Sequence, residues 1–133
     1  FDLVNDVEAY PGYMNGCADA KVLKRDDTSV TARLDLEKAG LRQSFTTRNI
    51  LRAPSSITME LVEGPFRKLH GLWQFKPMAN GGCQIEFRLE YEFTNFLLGL
   101  AAGKLMAQLV NEQVDAVCRR AQTLYGGQSS ARR

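Results

Sequence analysis

From Cys83 to Phe93 the chain alternates without a break. Cys83, Ile85, Phe87, Leu89, Tyr91 and Phe93 are apolar, and Gln84, Glu86, Arg88, Glu90 and Glu92 between them are polar or charged. Successive side chains of a strand point to opposite faces, so this run reads as a strand buried on one side and wet on the other. The same period recurs upstream. Val30, Ala32, Leu34 and Leu36 alternate with Thr31, Arg33, Asp35 and Glu37, and Ile57, Met59 and Leu61 with Thr58 and Glu60. Leu69, Gly71, Trp73 and Phe75 alternate with His70, Leu72, Gln74 and Lys76. The run Leu41–Leu51 puts Leu41, Phe45 and Leu51 on one face together with Gln43, Thr47 and Asn49, so that apolar face is seeded with polar groups. A shorter strand is read at Ala20–Arg25. Asp26-Asp27-Thr28, Ala39-Gly40, Pro54-Ser55-Ser56, Gly64-Pro65 and the stretch Pro77–Gly82 supply the turns between strands.

Helical patterns flank the strands. Phe1, Leu3, Val4 and Val7 share roughly one face of a helix over Phe1–Tyr10, which Pro11 and Gly12 stop. Thr94 or Asn95 offers an N-cap to a long second helix. Its later half carries Val110, Val114, Val117, Ala121 and Leu124 as one stripe, and Gly126-Gly127 closes it. The predicted order is one helix, five or six antiparallel strands in a meander, and one long C-terminal helix, an α+β arrangement. The stripe must be buried, and the sheet is the partner available to it. A curved sheet gripping a single helix leaves a gap between them, which is a natural ligand cavity. A chain of 133 residues suits one domain. That domain is read over residues 1–127, with 128–133 as a disordered polar tail.

Composition narrows the function. Seventeen Lys and Arg against fifteen Asp and Glu give a net charge of +2, too mild to argue for nucleic acid without local clustering. Cys17, Cys83 and Cys118 stand far apart, which argues against a disulfide framework or a zinc site and for reduced thiols in a cytoplasmic protein. No apolar run approaches the roughly 20 residues that span a bilayer, and no signal-peptide pattern is present. His70 has no nucleophile at a recognisable spacing. Glu86, Glu90 and Glu92 share a solvated strand face and do not form an acid/base pair. The sequence therefore predicts no catalytic residue, no metal and no catalytic cofactor.

Several blocks in order carry a family resemblance. They are VNDVEAYPGYMNGC (Val4 to Cys17), KAG (Lys38 to Gly40), SFTTRN (Ser44 to Asn49), LVEGPFRKLHGLWQF (Leu61 to Phe75) and IEFRLEYEFTN (Ile85 to Asn95). Together they resemble the START-like polyketide cyclase/coenzyme Q-binding family, most closely its bacterial RatA (ribosome association toxin) branch. The resemblance implies a helix-grip (START/Bet v1-like) fold with a hydrophobic tunnel. Family members open with a strand before the first helix. The resemblance thus implies that this first strand is missing from the chain as given, and that open strand edges favour a dimer. Mitochondrial relatives imply ubiquinone binding in support of respiration. Some bacterial relatives imply binding to the large ribosomal subunit and a block of subunit association.

Each implication has candidate residues. A tunnel would be lined by Leu34, Leu36, Phe45, Thr47, Asn49, Met59, Leu61, Trp73, Phe75, Phe87, Leu89 and Tyr91, joined by Leu98, Ala102 and Leu105 from the helix. Thr47, Asn49 and Tyr91 could hydrogen-bond a quinone carbonyl. For any one of these residues, ordinary core packing is the competing reading. Residues 96–109 are apolar almost all round, with Lys104 and Gln108 as the strongly polar exceptions. That half either guards the tunnel mouth and touches a bilayer during cargo exchange, peripheral to the inner membrane, or is buried against the sheet and first helix. Ribosome contact would fall to Arg67 and Lys68 in a loop read over Gly64–Leu69 with Phe66 beside them, and to Arg42 and Arg48.

Overall fold

Six strands follow one another across a single antiparallel sheet in their order along the chain. The computed structural model describes residues 1–38, 40–79 and 81–125, without the side chains of Lys38, Leu41, Leu98, Leu105 and Tyr125. The strands are β1 (Cys17–Arg25), β2 (Ser29–Lys38), β3 (Leu41–Arg52), β4 (Ser56–Glu63), β5 (Phe66–Pro77) and β6 (Cys83–Phe93). A short helix α1 (Asp2–Asn5) precedes them, and α2 (Phe96–Tyr125) follows. The helix-closing Gly126-Gly127 and the tail 128–133 lie outside the described residues, as do Ala39 and Asn80 of two expected turns.

The first predicted helix is broken in two. α1 ends at Asn5, Asp6 takes a non-helical ψ of 71°, and a 3₁₀ helix runs over Val7–Gly12 with Pro11 inside it. The apolar face survives the break, because Val4, Val7 and Tyr10 are all buried and the Tyr10 hydroxyl donates to the Val4 carbonyl oxygen. β1 begins at Cys17 and not at Ala20. Register shifts at Cys17/Asp19 and Val22/Lys24 interrupt its alternation, and so hide the strand from a period-two reading. β5 likewise begins at Phe66. A bulge between Phe66 and Lys68 resets the period, so Phe66 turns inward on the same face as Leu69. The expected loop over Gly64–Leu69 shrinks to Gly64-Pro65.

Asn95 caps α2, its Oδ1 accepting the Leu97 N–H at 2.8 Å. A helix this long still draws its stability from packing an apolar face. Val114, Ala116 and Val117 are buried against Trp73, Phe75 and Ile85, with Val110 and Ala121 half-buried, while Leu124 is 50% exposed and falls off the stripe. Ala102, Met106 and Leu109 extend the buried face toward the N-terminus. The apolar first turns are not buried all round, since Phe96, Leu97 and Leu100 are 78, 71 and 66% exposed.

The buried residues form two clusters. One gathers Val4, Val7, Tyr10, Met14, Val30, Ile57, Trp73, Phe75, Ile85 and Val117. The other gathers Phe45, Phe66, Leu69 and Met106, with half-buried Leu61, Leu89, Tyr91, Phe93 and Val110 around them. Two glycines let chain segments approach closely. Gly16, at φ +90°, leaves room for Leu109, whose Cδ2 would lie 2.3 Å from an added Cβ. A Cβ on Gly64 would lie 2.7 Å from that of Phe45, an atom no rotamer can move. We expect Gly64→Ala to lower stability by roughly 1–3 kcal/mol through overpacking. Gly103→Ala, in a helix interior with open space around the new methyl, should raise it by about 1 kcal/mol. Urea titration of both variants checks the pair of signs.

Candidate functional site

Between the two clusters lies a cavity of about 90 Å³. One water needs only roughly 10–15 Å³ of such space, so the gap is several times a packing defect. β2 and β3 build one wall. Their register sets Leu34 opposite Phe45, Ala32 opposite Thr47 and Val30 opposite Asn49. β4 then sets Met59 opposite Asn49, and β5 sets Trp73 opposite Ile57. Trp73 stacks on Phe87 at 4.3 Å and holds the floor flat.

Of the residues the sequence offered, Leu34, Leu36, Phe45, Thr47, Asn49, Met59, Trp73, Phe87 and Leu89 line this cavity. Leu61, Phe75, Tyr91 and Ala102 do not. Phe75 is stacked on Trp73 deeper in the first cluster. Leu61 and Tyr91 pack in the second cluster, where Tyr91 meets the edges of Phe66 and Phe93. Ala102 lies on the buried face of α2 but lines no part of the wall. The side chains of Leu98 and Leu105 are outside the described residues.

The cavity reaches α2 further along than expected, at Met106, Leu109, Val110 and Gln113. Val110 was legible from the stripe. The opposite wall went unread, because Val4, Val7, Tyr10, Met14, Asn15 and Cys17 close it from the N-terminal segment. Only the packing of that segment across the helix puts them there. Asn15 is exposed while lining the cavity, so the space opens to solvent beside the Gly16 turn.

The wall is apolar apart from a few groups. Thr47 and Asn49 are 2 and 8% exposed, and the Thr47 hydroxyl donates to Asn49 Oδ1 at 2.9 Å. A hydroxyl and an amide have more donors and acceptors than this one bond consumes, and both residues line the cavity. The Cys17 thiol is pushed up to about 11 by burial, with Asp19 and Asp35 adding to the effect. Burial also raises Tyr10 and Tyr13 above the usual phenol value. Uncharged side chains thus surround the space at neutral pH.

The outer face of the sheet behaves differently. Arg67 Nη1 meets Glu92 at 2.8 Å, Lys68 Nζ meets Glu90 at 2.9 Å and Lys76 Nζ meets Glu86 at 3.1 Å. Arg42 is shared by Glu37 at 2.9 Å and Asp35 at 3.7 Å. Three of the four expected ribosome contacts are thus ion-paired with carboxylates, and Arg48 alone of the four has no ion pair among the described residues. Phe66, expected beside Arg67 and Lys68 on the surface, is 5% exposed and stacked on Phe93 at 5.0 Å. Among the described residues no group of His, Cys, Asp and Glu gathers as a metal site, and no helix is long and apolar enough to cross a membrane.

A curved antiparallel sheet closed by one long helix over an apolar cavity defines the helix-grip class. The chain belongs to the polyketide cyclase/dehydrase and lipid transport family, which matches residues 1–118. Within it, the chain is 44% identical over 125 residues to the ribosome association toxin RatA of Escherichia coli K12, covering 94% of this chain and 79% of that protein. It is 24% identical over 132 residues to a mitochondrial protein of Xenopus laevis, coenzyme Q-binding protein COQ10 homolog B, covering 96% of this chain and 54% of that one. The crystal structure of TTHA0849 from Thermus thermophilus shares the fold, with a TM-score of 0.75 at 21% identity over 96% of this chain and 88% of that one.

Cys17 makes the site testable by pH. The unfolded chain releases the thiol proton from about its ordinary 9.0, whereas the folded chain holds it to about 11. Stability from this group is complete below pH 9 and falls as pH rises between the two values. Urea midpoints at about pH 8 and about pH 10.5 should drop more steeply for the parent protein than for Cys17→Ala.

Proposed function

We propose that the chain binds a hydrophobic ligand in the cavity and carries it without making or breaking a bond. The cavity between the two apolar clusters is the observation that carries this reading. The ligand class that fits best is an isoprenoid quinone such as ubiquinone. Its tail asks for apolar walls, which the leucines and aromatic rings supply. Its carbonyls ask for donors, which the Thr47–Asn49 pair has to spare. The family's description as lipid transport and the coenzyme Q-binding relative point the same way.

Solvent extraction of protein purified from a quinone-producing bacterium, followed by mass spectrometry, tests it. Near-stoichiometric quinone is the expected result, and an empty or randomly filled cavity counts against it. Val110→Trp, which fills the space, should cut uptake of a short-chain quinone at least tenfold. Thr47→Val with Asn49→Leu should weaken quinone more than a plain alkane of equal length.

Exchange of such a ligand needs a route through membrane. Phe96, Leu97 and Leu100 stand exposed at the start of α2, and Lys104 follows one turn later. This is the arrangement of a helix tip that dips into a bilayer while its cation stays at the headgroups. Leu97→Glu with Leu100→Glu should abolish flotation with liposomes and leave the circular dichroism spectrum unchanged.

A second reading is association with the large ribosomal subunit, favoured by 44% identity with a relative named for ribosome association. It concerns the outside of the molecule and does not exclude a ligand inside. Co-sedimentation with purified subunits that weakens steeply with salt would support it. Absence of co-sedimentation at low salt would dispose of it.

A further inference from the structure

From the strand register we infer a second interaction surface, on the outer face of β1–β3. It consists of Lys21, Lys24, Arg33 and Arg48 and is built for the phosphate backbone of RNA. The inference rests on the ribosome-association reading and, of the four residues the sequence singled out for that contact, keeps Arg48. Lys21 lies directly opposite Arg33. One step along the sheet, Lys24 lies opposite Thr31, and Thr31 lies opposite Arg48. Adjacent strands are about 4.8 Å apart and directly opposed side chains begin about 5 Å apart. The array therefore puts four cations within a few residues of one another on a stiff surface. Lys21, Lys24, Arg33 and Arg48 are all exposed.

On β5 and β6, Arg67, Lys68 and Lys76 each sit on a glutamate. On β1–β3, Lys21, Lys24 and Arg48 have no ion pair among the described residues. Arg33 is held by Asp35 at 3.1 Å. Carboxylates border the array, Asp19 and Asp35 lying opposite each other as the next pair on the same face. Asp35 also accepts the Ser44 hydroxyl at 2.6 Å, and Asp19 accepts the Ala20 N–H at 2.9 Å. Asp26 is folded onto its own turn, accepting the N–H groups of Thr28 and Ser29. Glu60, opposite Arg48 on β4, marks the border of the array. Like charges set directly across a sheet destabilise it, and Asp35, paired with Arg33, offsets only part of the Lys21–Arg33 opposition. A phosphate between them removes the repulsion.

Lysine and arginine with a hydroxyl among them, Thr31 here, are the groups that hold nucleic-acid backbones. A double-stranded RNA segment presents phosphates and shape more than readable bases, which suits a rigid array of this kind. A bilayer would ask for apolar side chains beside the cations. Beside these cations Leu23, 53% exposed at the β1 bulge, stands alone, whereas Phe96, Leu97 and Leu100 are exposed together on α2.

The test uses the full chain, purified large ribosomal subunits and, separately, a uridine homopolymer, over a series of salt concentrations. Lys21→Glu/Lys24→Glu/Arg48→Glu should bind subunits at least tenfold more weakly and with a shallower salt slope. Arg67→Glu/Lys68→Glu should stay within about threefold of the parent. The neutral variant Lys21→Gln/Lys24→Gln/Arg48→Gln should fall between parent and reversal. Lys21→Glu alone should raise the thermal midpoint, because it replaces a like-charge opposition with an opposite-charge pair, whereas Arg48→Glu faces Glu60 across β4; the neutral variant creates no like-charge opposition and so separates weak binding from misfolding. Parent-like affinity in the reversal and neutral variants would overturn the surface while leaving ribosome association intact. Binding to the homopolymer through these residues, without binding to subunits, would uphold the surface and end the ribosome reading. No binding to either by the parent protein would end both.

Discussion

The whole architecture depends on one mismatch of shape. A six-stranded sheet presents a broad concave face, and a single helix can cover only part of it. Val114 and Val117 press onto Trp73, Phe75 and Ile85 in one cluster, while Met106 meets Phe45, Phe66 and Leu69 in another. Between these two contacts the helix cannot reach the sheet floor, and the cavity is what remains. The N-terminal segment then closes the open flank with Val4, Val7, Tyr10 and Met14. Interiors are normally packed as densely as organic crystals, and an unfilled gap costs stability through lost contacts. A ligand that fills it recovers them, which is why the same mismatch that weakens the core makes a binding site.

The polar pair in the wall has the same logic. A buried donor left unpaired costs roughly 1–3 kcal/mol. Thr47 and Asn49 limit that cost by bonding to each other, yet both keep capacity to spare. Replacing them with apolar residues would suit a sealed core better. Their presence on β3, between Ala32 and Val30 on one side and Leu61 and Met59 on the other, suits a cavity whose occupant has a polar end. On the outer face of β5 and β6, Arg67, Lys68 and Lys76 are paired with glutamates, each exposed pair contributing at most about 1 kcal/mol, while on β1–β3 Lys21, Lys24 and Arg48 have no ion pair among the described residues.

How far the sequence reached follows from periodicity. Strands with clean alternation, such as Cys83–Phe93 and Val30–Glu37, were legible with their inward faces, and these supplied part of the β-sheet wall of the cavity. Bulges hid what alternation could not show: the start of β1 at Cys17, and the burial of Phe66 behind a register shift. The helix stripe was legible as far as Ala121, and its phase against the sheet was not. Ala102 was therefore expected at the tunnel where Met106, Leu109, Val110 and Gln113 line it. No local pattern says that Val4, Tyr10 and Cys17 cross over to form the far wall, because that is decided by closure of the whole chain. Ion pairs across strands, such as Lys68 with Glu90, also needed the register before they could be seen.

The chain contains a single tryptophan, Trp73, and it lines the cavity in a stack with Phe87. Its fluorescence therefore reports on the occupant directly. Titration with a short-chain ubiquinone should quench that fluorescence to a saturating limit at one ligand per chain, be little affected by salt, and be reversed by a competing detergent. Quenching that is unsaturable, or absent while the protein remains folded, would contradict a ligand cavity at this place and leave the gap as a defect of packing.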